Sequence, residues 1–214
     1  MTQASEVVVV PLKAGIDLES GEYKTALDAA LKALSEAEGS QKVSYGRQVE
    51  NPDVLDLSID WGLPTNFHTF ITSPAYAPFR AVLGTLVAGP PKINIVSRLQ
   101  NGPFFSVITA PITEMVTLFF PASYAEADFN ANFAKFKAII DESAEGAKGV
   151  VGGWSVEEVP PAEGDAKLFV GAIGWESIDA HMEFRKTEAF KEAIPLLREG
   201  SDKITMHHVK FAQF

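Results

Sequence analysis

The chain contains no cysteine, which excludes disulfide cross-links, thiolate metal sites and cysteine nucleophiles together. Positive charge is scarce: 18 Lys and Arg face 28 Asp and Glu, for a net charge of −10. Such a surface repels phosphate backbones and anionic lipid, so neither nucleic acid nor a membrane is an expected partner. Long apolar runs are also missing. Val7 to Val10 is too short for the core of a signal peptide or a membrane span, and no basic residue precedes it, so the chain reads as a soluble, cytoplasmic protein. His-x3-His, helical Glu-x-x-His, calcium loops, Walker and dinucleotide glycine patterns and Gly-x-Ser-x-Gly are all absent, so neither a metal nor a cofactor is expected. A haem on one axial histidine stays open as a minor reading, because a single ligand has no spacing.

What is present is a repeat. Trp175…His181…Thr187-x-x-Phe190 has a weaker copy in Trp61…His68…Ser73-x-x-Tyr76, with Trp to Ser or Thr twelve positions in both and Trp to the aromatic fifteen. Around it the elements fall into two matching series. Glu6 to Leu12 is short and rich in β-branched valine, and reads as a buried strand. From Gly21 to Ala37, Tyr23, Leu27, Ala30, Leu31 and Leu34 follow a helical period. Strands at 42–49 and 54–61 flank the turn-rich Glu50-Asn-Pro-Asp53. Residues 66–87 read as a helix in two pieces, with Ser73 as cap and Pro74 at the first helical position of the restart. A strand at 92–99 completes βαββαβ. Glu114 to Phe120 repeats the first strand at an offset of 108, and the helix of Phe129, Phe133, Phe136 and Ile140 repeats the first helix with bulkier side chains. Gly149 to Glu157, with a glycine bulge, answers the second strand; strands at 166–175 and 203–211 and a broken helix at 177–198 complete the copy.

The expected architecture is therefore α+β: two tandem ferredoxin-like βαββαβ units, 1–100 and 114–214, joined by an apolar segment, 101–113, that packs as it crosses. Each four-stranded sheet carries both helices on one side and leaves the other bare. Pairing the bare faces, at about 25 cal/mol per Å² of apolar surface, predicts one pseudo-symmetric barrel within a single chain. Association of whole chains is compatible with this but is not needed to complete the barrel.

Trp175-x5-His181-x5-Thr187-x2-Phe190 resembles the signature of antibiotic-biosynthesis-monooxygenase proteins in the dimeric α+β-barrel superfamily, here as a tandem fusion. The resemblance implies a cofactor-independent enzyme, of monooxygenase, cyclase or isomerase type, acting on a small apolar or aromatic metabolite in a pocket between sheet and broken helix. A non-catalytic ligand-binding or stress-related barrel is the alternative. The related cyclases carry His-Pro-Ala-His where this chain has Ser73-Pro-Ala-Tyr76, and Phe190 in the second copy, so the cyclase acid/base histidine has no counterpart.

Candidate proton-transfer residues are His68, His181, His207, His208 and Tyr76. The imidazoles titrate near neutrality, and His207 and His208, adjacent on a strand, point to opposite faces. Trp61, Trp175 and Ser73 are candidate ligand contacts. Asp56, Ser58 and Asp60 form the polar face of the third strand, read first as solvated and second as lining a cavity. Because neither copy alone pairs a proton-transfer group with a hydrogen-bond donor, one asymmetric pocket per chain is expected, lined by Trp61 or Trp175 and at least one histidine.

Overall fold

The computed structural model describes residues 3–159 and 166–214. The first unit comprises β1 (Ala4–Pro11), α1 (Gly21–Ser35), β2 (Ser40–Arg47), β3 (Val54–Trp61), α2 (Thr65–Ile71), α3 (Tyr76–Gly84) and β4 (Lys92–Gln100). A short α4 (Phe105–Ile108) crosses to β5 (Ile112–Phe120), α5 (Glu126–Ser143), β6 (Ala147–Val159), β7 (Lys167–Trp175), α6 (Ile178–Phe184), α7 (Glu188–Arg198), β8 (Lys203–Val209) and β9 (Ala212–Gln213). Alternation sets which side chain faces which layer: Val8 and Val10 of β1 pack under the helices, while Val7 packs on the opposite face with Val96 and Val170. On α1 the buried positions are Leu27, Ala30, Leu31 and Leu34, the stripe expected from the helical period.

The two helix breaks are built differently. Thr187 is extended and its hydroxyl accepts from the Phe190 amide at 3.1 Å, so it caps α7. Ser73 does not cap α3. That helix starts at Tyr76, its N-terminal neighbour Ala75 is already in helical conformation, and the Ser73 hydroxyl has no partner. Instead the Ser73 carbonyl accepts from the Tyr76 amide at 3.2 Å, because the chain turns through Pro74 rather than extending as a cap requires. The last strand also differs from expectation: it ends at Val209, and β9 forms a separate pairing.

All neighbouring strands are antiparallel, in the order β8-β5-β7-β6-β4-β1-β3-β2-β9. The outermost strands, β8 and β9, are consecutive in the chain, so the ring closes on itself. Closure is reinforced where the Val49 amide donates to the His208 carbonyl at 2.8 Å. One seam between units is the long β4·β6 ladder and the other the short meeting of β2 with β8 and β9. Equivalent glycines sit at both. A Cβ on Gly153 would lie 2.7 Å from the Ser97 carbonyl oxygen, and one on Gly46 would lie 2.5 Å from that of Lys210. Only a residue without a side chain lets the other unit's backbone come so close.

The barrel interior is filled. Phe104, Val107 and Ile108 from the crossing segment plug it against Val7, Val151 and Val209. Asp56, Ser58 and Asp60 lie in this interior at 0–2 % exposure, which overturns the solvated reading of that strand face. Both flanking strands cover β3, and the second unit covers its inner face. Asp56 accepts from Gln48 at 2.8 Å and pairs with His207 at 2.6 Å; Asp60 accepts from Ser5 and from the Phe105 amide. Among the described residues no helix is long and apolar enough to cross a membrane.

Candidate active site

Outside the barrel, between the first unit's sheet and α2 and α3, lies a cavity of about 650 Å³. Its walls are apolar: Leu57 and Ile59 from β3, Phe67 and Phe70 from α2, Phe79 and Leu83 from α3. Two charged residues line it, Glu6 and Arg80, together with Tyr76. Glu6 occupies a helix-facing position of β1, between Val8 and the buried Ala4, and is 5 % exposed. The Trp61 indole donates to its carboxylate at 2.9 Å. Burial pushes the Glu6 carboxyl up from 4.5 to about 7, with the Trp61 hydrogen bond pulling the other way. A carboxyl poised at neutrality beside an apolar cavity is suited to take a proton from a bound molecule.

The same arrangement recurs in the second unit in a different setting. Trp175 donates to Glu114 at 3.1 Å, and burial raises the Glu114 carboxyl. The second unit is bulkier: Phe133 and Phe136 of α5 align with Leu27 and Ala30 of α1, and with Phe169 they line a void of only about 10 Å³. Phe67 and Ile95 beside Glu6 are replaced by His181 and His208 beside Glu114. The result is a line of polar contacts. His181 Nε2 lies 3.5 Å from Glu114, His181 Nδ1 lies 2.8 Å from His208 Nε2, and His208 Nδ1 lies 2.5 Å from Glu50 of the first unit. Trp175 stacks on His181 with ring centroids 4.9 Å apart. Burial, with the neighbouring His208 and Arg185 charges, lowers His181 to about 4, so it is neutral at physiological pH.

The residues singled out in the sequence are thus dispersed. Tyr76 lines the cavity. Trp61 lies behind Glu6 and holds it, and Trp175 does the same for Glu114. Ser73 is half-buried in the turn before α3. His181 and His208 meet each other in the second unit, while His207 lies in the barrel against Asp56. His68 is exposed and pairs with Glu157 at 2.7 Å. The structural counterpart of His181 is Phe67, six residues after its tryptophan as His181 is; His68 is seven after, and one position on a helix turns a side chain by about 100°. No histidine lines the cavity. The carboxylates Glu6 and Glu114 were missed, although a signal existed: a glutamate inside an apolar strand, twice, at the offset of the repeat.

The residues do not fit a haem held by an axial histidine. All four imidazoles are engaged with Glu157, Asp56, Glu50 or one another, and none faces the cavity. Among the described residues no group of three or more His, Asp or Glu is arranged to hold a metal ion.

No protein-family model and no curated protein sequence matches the chain. Solved structures do match its fold. A candidate monooxygenase from Lactobacillus acidophilus superposes with a TM-score of 0.65 at 10% identity, over 100% of this chain and 96% of its own. An anthrone oxidase-like protein gives 0.68 at 12% identity, over 99% and 93%. A candidate chlorite dismutase gives 0.64 at 13% identity, over 99% and 96%. The chain has the two-unit α+β-barrel fold of these proteins.

Proposed function

We propose that this tandem α+β barrel is a cofactor-independent enzyme that binds a small, largely apolar or aromatic compound in the first-unit cavity and removes a proton from it with Glu6. The observation that carries this reading is a buried carboxyl with a pKa raised to about 7, facing a cavity of about 650 Å³ whose walls are otherwise mostly hydrocarbon. That volume is in the range of small-molecule sites. The names of the structural neighbours favour an oxygenase. A CH₂ group flanked by aromatic rings gives a proton to Glu6, and the carbanion, spread over the rings, adds dioxygen. The resulting peroxide anion takes the proton back, and the hydroperoxide so formed loses water to leave a carbonyl. CH₂ and O₂ become C=O and H₂O, so atoms and electrons balance with dioxygen as sole co-substrate. Tyr76 is placed to donate a hydrogen bond to the substrate oxygen on which negative charge gathers.

Anthrone is the probe of choice, with oxygen uptake and quinone absorbance as readouts. Glu6→Gln, which keeps size and the Trp61 contact, should lower turnover by roughly 10²–10⁴-fold while changing ligand affinity only slightly. Turnover at the wild-type rate in Glu6→Gln would remove Glu6 as the base. Binding without turnover in the wild-type protein would favour the non-catalytic ligand carrier.

A further inference from the structure

Arg80 is the one cation among the residues lining the first-unit cavity, and it stands at the exposed rim, whereas Glu6 lies at the buried end. Tyr76 and Arg80 are four residues apart on α3, so both project toward the cavity from one helix face. The guanidinium lies over the Tyr76 ring, 6.0 Å from its centroid, and among the described residues no carboxylate lies within ion-pair distance of it. At the exposed edge of the cavity lining, over the Tyr76 ring, Arg80 is placed to meet a bound ligand. A planar guanidinium presents paired donors that match a carboxylate or phenolate.

We infer that the cavity takes aromatic or aliphatic compounds bearing an anionic group, with the anion held by Arg80 at the rim and the apolar body reaching inward to Glu6. This rests on the assignment of the cavity as the substrate site. The orientation follows from charge: an anion at the deep end would face the Glu6 carboxylate without solvent between them, whereas at the rim it meets Arg80 in water. Arg80 is thus a specificity-determining and positioning residue. It selects anionic compounds over neutral ones of the same shape, and it fixes which carbon meets the base.

The test compares 2-naphthoate with 2-naphthamide, the same ring system with and without the charge, by calorimetry and by quenching of tryptophan fluorescence. The wild-type protein should bind the naphthoate about tenfold more tightly, with an affinity that falls as salt rises. Arg80→Met should abolish that preference and leave naphthamide binding unchanged, while Arg80→Lys should retain part of it. Thermal melts confirm that each variant is folded. Equal binding of the two ligands by the wild type, or an equal loss of both in Arg80→Met, overturns the role of Arg80 and leaves Glu6 as base untouched. Failure of both ligands to bind overturns the anion subsite. A charge preference that depends on Arg80, together with anthrone turnover indifferent to Glu6→Gln, upholds the subsite and overturns the proposed catalysis.

Discussion

Glu6 and His181 shift away from their ordinary values in opposite directions, and the pH dependence of the molecule follows from the pair. Glu6 holds its proton more tightly folded, at about 7, than unfolded, at 4.5. The stability this contributes is complete below pH 4.5 and is lost as the pH rises through about 7, a change on the order of 3 kcal/mol. His181 is the mirror case, at about 4 folded against 6.5 unfolded. Its contribution is complete above pH 6.5 and is lost as the pH falls through about 4. Between pH 4.5 and 6.5 the two slopes oppose each other. Urea melts across this range should show Glu6→Gln gaining stability relative to wild type as pH rises from 4.5 to 7, and His181→Gln gaining relative to wild type as pH falls from 6.5 to 4. Turnover should run against the Glu6 contribution to stability, increasing as Glu6 ionises near pH 7. A pH–rate profile flat through neutrality would count against Glu6 as base. At this scale the sequence was least legible. A lone Glu before a run of valines looks like the solvated start of a strand, and only its recurrence at Glu114, beside a second tryptophan, marks it as a buried acid.

Between the paired elements, α1 and α5 differ in the bulk of the apolar stripe they place on the sheet: Leu27 and Ala30 of α1 align with Phe133 and Phe136 of α5. In the second unit the rings form a packed cluster: Phe133 and Phe169 centroids are 4.8 Å apart, and Phe129 and Phe169 4.7 Å. Phe136→Ala should therefore cost about 3–5 kcal/mol in urea unfolding, because the surrounding rings cannot collapse onto the void. It should leave ligand binding in the first unit unchanged, since no residue of α5 lines that cavity. Elements with a strong period were readable in advance: α1, α5 and the strict alternation of β3. The weaker ones were not. Ser73-Pro74 carries the composition of a helix start, yet the restart came at Tyr76. The crossing segment was legible as apolar packing from Phe104, Val107 and Ile108, but not as a helical turn that fills a barrel, because what it fills is made by both units.

The whole molecule is held by what its two halves share. Neither unit has an interior of its own on the barrel side: Val7 and Val96 from the first pack against Met115, Val151 and Val170 from the second, around the plug of α4. Both seams are hydrogen-bonded, but unequally. β4·β6 is a long ladder, whereas the other seam combines a few backbone pairings with His207–Asp56, His208–Glu50 and the Ser44 hydroxyl donating to Gln213 at 2.7 Å. This sharing was legible from the repeat, since a sheet with helices on one side needs a cover for the other, while the pairing of β2 with β9 was not, because two residues carry no periodic signal. The connection can be opened where it matters least. Asn101 and Gly102 form a turn with positive φ just before the plug, so a cut between them leaves α4 attached to the second half. Expressed alone, residues 1–101 and 102–214 each expose a bare apolar sheet face and two unpaired strand edges, and each should aggregate or lose cooperative unfolding. Expressed together, they should reassociate into a one-to-one complex that unfolds in a single transition and binds ligand as the intact chain does. Size-exclusion chromatography and urea melts decide the matter: two halves that are each soluble, monomeric and cooperatively folded would mean that the units are separate domains and that the shared interior contributes little.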